Sequence, residues 1–147
     1  MRSYLTANPC SERLAQQFPL LKSATILPMY SPQVLDHFQN PRNVGEILNP
    51  DTAAQLENPA CGDILKLSVR IAEGRIREIR FKAKGCVPAI ACGSALCELI
   101  QGKTLEDARR FRREELVRAV GGLPEASTHA SQLAMETLAR VLQDVTT

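Results

Sequence analysis

The sequence predicts an α+β domain in which a two-stranded antiparallel hairpin precedes several helices. Apolar and polar residues alternate along 65–71 and again along 79–84, the pattern of strands with one buried face. Glu73-Gly74 lies between these runs and is typical of a tight hairpin turn. Apolar residues at helical spacing along 130–142 predict a final amphipathic helix. With 147 residues, the chain is long enough to bury one core.

Capping and breaking residues predict the remaining elements in chain order. Ser31 followed by Pro32 is typical of a helix start. Residues 40–60 are rich in Asn, Pro and Gly, and we expect them to form a loop. Pro88 can open a long helix that Gly102 ends. The expected helices lie near 31–40, 88–101, 105–111, 114–120 and 128–142, the last with Ser127 or Thr128 as its cap.

The chain divides near Met29, where recognisable organisation begins. Residues 1–28 contain three prolines, show no clean periodicity and carry three basic residues against the single acid Glu12. We expect them to be a loosely ordered extension or the product of a mis-assigned start, and residues 29–147 to form the domain. The basic excess is also weakly typical of a transit peptide. We assign no chemistry to Cys10.

Composition excludes several classes of partner. The chain has no Trp and only 4% aromatic residues, so a base-stacking surface for nucleic acid is not expected. No run approaches the ~20 apolar residues of a membrane span. Five cysteines form an odd set without a secretory signal, which favours free or metal-bound thiols in a reducing cytoplasm over disulfides. We expect the basic run 109–113 to be a solvated helical face, with docking of an acidic protein as the alternative.

Four residues are candidate metal ligands, namely Cys61, Asp63, Cys86 and His129. The expected hairpin returns Cys86 to the sheet edge from which Cys61 departs, and His129 falls at the start of the final helix. Two thiolates, a carboxylate and an imidazole can complete a tetrahedral metal site. Alternative roles remain open: Asp63 could stabilise a turn, and His129 could be an ordinary helix-terminal residue. The other histidine, His37, is interpreted as helix surface or structural packing.

Several motifs occur in an order and spacing that resemble those of the iron-sulfur cluster assembly scaffolds of the IscU type, the same domain that opens NifU. They are Met29-Tyr30-Ser31, residues 36–45, Pro59-Ala60-Cys61-Gly62-Asp63, Phe81-Lys82, Gly85-Cys86, Ala89-Ile90-Ala91, Gly102-Lys103-Thr104-Leu105, and Leu123-Pro124 leading to His129. The resemblance implies a small antiparallel sheet with helices packed on one face. It also implies a 2Fe-2S cluster, or zinc in its place, held by thiolates with neighbouring Asp and His groups.

The sequence departs from the family pattern at two places. Where the family has a third thiol directly after the His, this chain has Ala130, so the usual acceptance of sulfur from a cysteine desulfurase needs another thiol. Cys92 is a candidate substitute, although it also fits an apolar helix stripe, and we expect Cys97 to lie in the core. The second departure is in the chaperone-docking segment, where residues 123–127 lack the family's cation. This argues against docking to an Hsp70-type chaperone in the usual way.

These observations favour a scaffold or carrier for an iron-sulfur cluster and not an enzyme. Its partners would be a cysteine desulfurase and acceptor apo-proteins, and a homodimer could bridge one cluster with Cys61 and Cys86 from each protomer. The main alternative is a zinc-binding module that docks on a cysteine desulfurase and regulates it without building clusters. A third hypothesis is a degenerate copy that keeps the fold and carries no metal.

Overall fold

The computed structural model describes residues 30–145. The expectations for residues 1–28, including Cys10, lie outside the described residues. The described elements are α1 (Pro32–Gln39), β1 (Thr52–Glu57), β2 (Ile64–Ala72), β3 (Arg75–Lys84), α2 (Val87–Ile100), α3 (Leu105–Arg110), α4 (Arg113–Ala119), a 3-10 turn (Glu125–Ser127) and α5 (Thr128–Gln143).

The predicted hairpin is present as β2 and β3, which pair antiparallel. Glu73 and Gly74 both have positive φ, 53° and 74°, as a two-residue turn matched to the twist of the strands requires. The sheet has the order β1-β2-β3, and all its pairs are antiparallel. Together with the helices this confirms the α+β class.

The expectation that residues 40–60 form a loop throughout was wrong. Strand β1 lies within that range and pairs with β2 from Thr52 opposite Val69 to Glu57 opposite Ile64. Its sequence is Thr-Ala-Ala-Gln-Leu-Glu, in which alanine weakens the strand signal. The strand forms because β2 supplies backbone partners, and α5 packs against it.

The helices pack on one face of the sheet, as expected. On that face Leu65, Leu67 and Phe81 are at most 2% exposed, and α2 and α5 lie against them. Helix α2 approaches closely at Gly93, where an added Cβ would lie 2.7 Å from the Phe81 ring. Burying large apolar side chains in this way contributes on the order of 1.5–3 kcal/mol each. The core therefore fixes the sheet and α2, and with them the ends of the strands.

The helix starts agree only in part with the capping predictions. The Ser31 hydroxyl accepts a hydrogen bond from the Val34 amide at 3.0 Å, which confirms the cap of α1. At α5, Ser127 occupies the N-cap position but its side chain makes no capping hydrogen bond. The preceding 3-10 turn satisfies backbone amides at this helix start instead, because the Ser127 amide donates to the Pro124 carbonyl at 2.8 Å and the Thr128 amide donates to the Glu125 carbonyl. His129 nevertheless lies in the first turn of α5, as predicted.

The basic run 109–113 is not simply a solvated face. Arg109 donates to the Leu142 carbonyl in the last turn of α5 at 3.4 Å and to the Val145 carbonyl just beyond the helix at 2.7 Å, so it binds backbone carbonyls that lack helical partners. Arg110 forms an exposed ion pair with Glu106, as a solvated face would. Within residues 30–145, none of the helices is both long and apolar enough to cross a bilayer.

Candidate metal centre

A short loop between β1 and β2 presents Cys61 and Asp63. Asn58 organises this loop: its amide donates to the Asp63 carbonyl at 2.8 Å, and its side-chain oxygen accepts from the Ala60 amide at 2.9 Å. The Gly62 amide closes the turn on the Asn58 carbonyl at 2.6 Å. As a result Cys61 is exposed at the loop, whereas Asp63 is only 4% exposed.

Asp63 is the centre of a group of contacts that joins three elements. Its Oδ1 accepts from the Cys86 amide at 3.3 Å, and its Oδ2 accepts from the Cys86 thiol at 3.1 Å. The same Oδ2 lies 3.6 Å from His129 Nε2, so α5 also reaches the carboxylate. Asp63 thus contacts both the backbone and the side chain of Cys86, and these two hydrogen bonds connect the start of β2 to the junction between β3 and α2.

We call Cys61, Asp63, Cys86 and His129 the donor cluster. The candidate ligand atoms of Cys61, Asp63 and His129 all lie within 4.8 Å of one another. Cys86 is not a member of that three-residue group and reaches it through its hydrogen bond to Asp63. The structure therefore brings the four predicted residues together, three as a compact set and the fourth bonded to one of them.

The thiol of Cys86 is held in its protonated form in the metal-free chain. Burial, the hydrogen bond to Asp63 and the charge of that carboxylate together raise its pKa to about 11, and burial has the largest effect. The Ala89 amide at the start of α2 acts in the opposite direction, because it donates to the sulfur. A metal would have to displace the thiol proton before Cys86 could bind as a thiolate.

The other two described thiols belong to α2 and lie in the hydrophobic core of the domain. Cys92 and Cys97 are both fully buried, and burial raises the pKa of Cys92 to about 12 and also raises the pKa of Cys97. This confirms the core position expected for Cys97. Cys92 shares it, so the hypothesis that Cys92 substitutes for the missing thiol would require the start of α2 to open. Ala130, which follows His129, is 1% exposed.

His37 lies outside the donor cluster and has a packing role, one of the two alternatives expected for it. It is 8% exposed between α1 and α2, where its Nδ1 lies 2.7 Å from the Ser94 hydroxyl and 3.0 Å from Arg42 Nη1. Because arginine can only donate, Nδ1 acts as an acceptor. Burial and the Arg42 charge lower the pKa of this histidine, while Glu98 opposes them.

Two residues that organise the donor cluster were given no role in the sequence analysis. Asn58 builds the loop, and an Asn just before a Pro-Ala-Cys-Gly turn is a signal that could have indicated it. Gly85 lies directly against the Asp63 side chain, and a Cβ atom at position 85 would overlap with it. Its position before Cys86 was visible, but the contact depends on the pairing of β2 with β3 and on the Asn58 loop.

Comparison with known proteins gives three consistent findings. The family described as NifU-like N terminal domain matches residues 29–146. The chain is 43% identical over 116 residues to the iron-sulfur cluster assembly scaffold protein IscU 1 of Archaeoglobus fulgidus, covering 79% of this chain and 76% of that protein. It is 37% identical over 119 residues to the IscU scaffold protein of Escherichia coli, covering 78% of this chain and 92% of that one.

Solved structures share the same fold. The N-terminal part of a NifU-like protein from Brucella abortus superimposes with a TM-score of 0.65 over 78% of this chain and 92% of that one. Because the two sequences are only 18% identical, this likeness establishes the architecture alone.

Proposed function

Since the chain belongs to the NifU-like N-terminal domain family, we propose that it is an iron-sulfur cluster assembly scaffold. Its activity would be to hold a nascent cluster and pass it on, so the chain acts as a carrier and not as an enzyme. Both curated relatives described above carry the name scaffold protein. The donor cluster is the part of this chain that would hold the cargo.

The observation that carries this proposal is the convergence of three unlike donors at one place. Ligand atoms of Cys61, Asp63 and His129 lie within 4.8 Å of one another although they come from a loop and a distant helix. Thiolates suit iron and zinc, and carboxylate and imidazole bind these metals less tightly. Such a mixed set fits a protein whose cargo must leave, and we propose that Cys61, Asp63, Cys86 and His129 hold a 2Fe-2S cluster.

The partners follow from this role. A scaffold needs a source of sulfur, for which a cysteine desulfurase is the proposed partner, and acceptor apo-proteins that take the cluster. Free thiols suit a reducing compartment, and we propose the cytoplasm. The segment from Leu123 to Ser127 contains no basic residue and ends in a 3-10 turn that begins with the acidic Glu125, so we propose no Hsp70-type docking there in the usual way.

One observation favours a second candidate, a zinc-binding module that regulates a desulfurase. The compact set of three donors contains one sulfur, one oxygen and one nitrogen ligand, with Cys86 beside it and Ala130 in place of a further thiol. Mixed tetrahedral ligation of this kind is readily accepted by zinc. A scaffold differs from this module by retaining acid-labile sulfide together with iron.

The test is the content of iron, zinc and acid-labile sulfide after anaerobic purification and after reconstitution with ferrous iron and sulfide. Wild type is compared with Cys61→Ala and Cys86→Ala, and with Cys97→Ala as the matched control for loss of a thiol elsewhere. We expect iron and sulfide in equal amounts in wild type and in Cys97→Ala, and at least about a tenfold loss in the other two.

The alternatives give different results in the same experiment. Tight zinc without retained sulfide would replace the scaffold proposal with the regulatory module. Cys92→Ala is added as a fourth variant, and loss of iron and sulfide in it, with Cys97→Ala unaffected, would identify Cys92 as the substitute thiol. A folded wild-type chain that retains none of the three elements would contradict both functions.

A further inference from the structure

The position of the Asp63 carboxylate depends on a side chain that is absent. Gly85 precedes Cys86, and a Cβ added to it would lie 2.2 Å from Asp63 Oδ1 and 2.6 Å from Asp63 Cγ. Non-bonded contacts of a Cβ atom shorter than 3.0 Å essentially never occur in proteins. Any residue other than glycine at this position would therefore have to displace the carboxylate or the backbone.

The atoms that would be displaced are those that organise the donor cluster. Oδ1 accepts from the Cys86 amide, and Oδ2 accepts from the Cys86 thiol and faces His129 Nε2. Asp63 is 4% exposed, so its carboxylate has little free space into which it could move. A shift of about 1 Å would lengthen these contacts beyond hydrogen-bonding distance.

Gly85 differs in this respect from the glycines of the turns. Gly74, at the tip of the hairpin, has a φ of 74° and nothing within 4 Å of the place where a Cβ would be. Glycine is favoured there by backbone conformation alone. At Gly85 the φ is 153°, and the three nearest atoms to an added Cβ all belong to the Asp63 side chain. The steric requirement is thus specific to one candidate ligand.

We propose that Gly85 is a positioning residue of the donor cluster: its missing side chain lets the Asp63 carboxylate lie against Cys86 and His129. The inference rests on the proposed function only in taking Asp63 as a metal donor. It adds that metal affinity is set by a residue that supplies no ligand atom, in the manner of the outer contacts that orient ligands in other metal sites.

The experiment measures zinc affinity by competition with a chromophoric chelator, together with the absorption spectrum of the Co²⁺-loaded protein. The variants are Gly85→Ala, Asp63→Ala and the double variant, with Gly74→Ala as the control for adding a methyl group at a positive φ. We expect Gly85→Ala to weaken zinc binding by about 10- to 100-fold, and Gly74→Ala to change it by less than about threefold.

The double variant separates positioning from a general structural effect. If Gly85 acts through the Asp63 carboxylate, adding Gly85→Ala to Asp63→Ala causes little further loss of affinity. The residual distance from the added Cβ to the Cβ at position 63 is 3.0 Å, a contact that a small backbone adjustment relieves. An equal loss of zinc affinity in both backgrounds would overturn the proposal.

Stability measurements keep the proposal testable if Gly85→Ala does not fold. The steric conflict is with the Asp63 carboxylate, so Asp63→Ala should restore folding to the Gly85→Ala chain and raise its thermal midpoint. Failure of Asp63→Ala to relieve the defect would also overturn the proposal. The zinc readout is independent of cluster assembly: if wild type retained no sulfide but the affinities behaved as expected, the scaffold function would fail and the positioning role would stand.

Discussion

The donor cluster and the buried side of α2 both contain thiols, but the thiols differ in exposure. The difference follows from whether the cysteine lies at the end of an element or inside one. Cys61 lies on a loop and Cys86 at the N-cap of α2, so each sulfur is next to polar groups or solvent. Cys92 and Cys97 lie about two and about three turns further along the same helix and are fully buried. Residues at the ends of elements are available to a ligand, whereas those inside α2 complete the core.

The largest expected difference between the two regions is their response to a charge. Cys92→Asp places a carboxylate among buried apolar residues, and we expect it to lower the free energy of unfolding by about 3 kcal/mol or more. The same change at exposed Cys61 should alter the unfolding energy of the metal-free chain by less than about 0.5 kcal/mol. Urea unfolding of both variants, with Cys92→Ala as the control for lost volume, measures the difference. Similar midpoints for the two Asp variants would contradict the buried position of Cys92.

Thiol reactivity sharpens the contrast within the donor cluster. The pKa of Cys86 is raised from 9.0 to about 11 by burial and by Asp63, so near neutral pH its thiolate fraction should be about 100-fold below that of an unperturbed thiol. In a Cys10→Ser background, alkylation followed by mass spectrometry should show Cys86 reacting about 100-fold more slowly than a short cysteine peptide. Asp63→Asn should accelerate it, because the acceptor charge is removed. Alkylation of Cys86 at the peptide's rate would refute the contact with Asp63.

The smallest expected effect is a pH dependence that originates where α1 packs on α2 and not at the donor cluster. Burial between α1 and α2, and then the charge of Arg42, lower the pKa of His37 below its usual 6.5. The unfolded chain therefore binds the proton more readily, and the stability gained from neutral His37 is present above about pH 6.5 and lost as the pH falls. The loss can reach about 1.4 kcal/mol per pH unit.

Unfolding free energies measured between about pH 7.5 and about pH 5 test this dependence. His37→Gln should flatten the curve, since an amide carries no titrating proton. Glu98→Gln is the matched comparison, because it removes the carboxylate that supports the protonated ring and should steepen the loss. An unchanged slope in His37→Gln would assign the pH dependence to other groups.

The parts of the fold predicted correctly are those that local residues encode. The hairpin follows from alternation and from the Glu73-Gly74 turn, and α1 follows from the Ser31 cap. Strand β1 could not be predicted in this way, because its alanine-rich sequence becomes a strand only by pairing with β2. The cap of α5 was misjudged for a related reason, since a 3-10 turn before it satisfies the backbone instead of Ser127.

The donor cluster shows the same limit. Residue type and the family motifs indicated which four side chains belong together, and the strand register indicated that Cys61 and Cys86 share an edge. The hydrogen bond that joins Cys86 to Asp63 was not predictable, because it depends on the exact approach of two backbones at Gly85. Neither was the contact of His37 with Ser94, which arises from the packing of α1 on α2.

The separation of the donors along the chain makes metal binding a measure of folding. Cys61 and Asp63 precede the hairpin and α2, whereas His129 follows α4, so most of the described domain lies between them. In an unfolded chain the same ligands could meet only by closing a long loop, at a cost in conformational entropy that the native fold has already met. Bound metal therefore favours the native population by mass action, and cargo loading and conformational stability become one equilibrium.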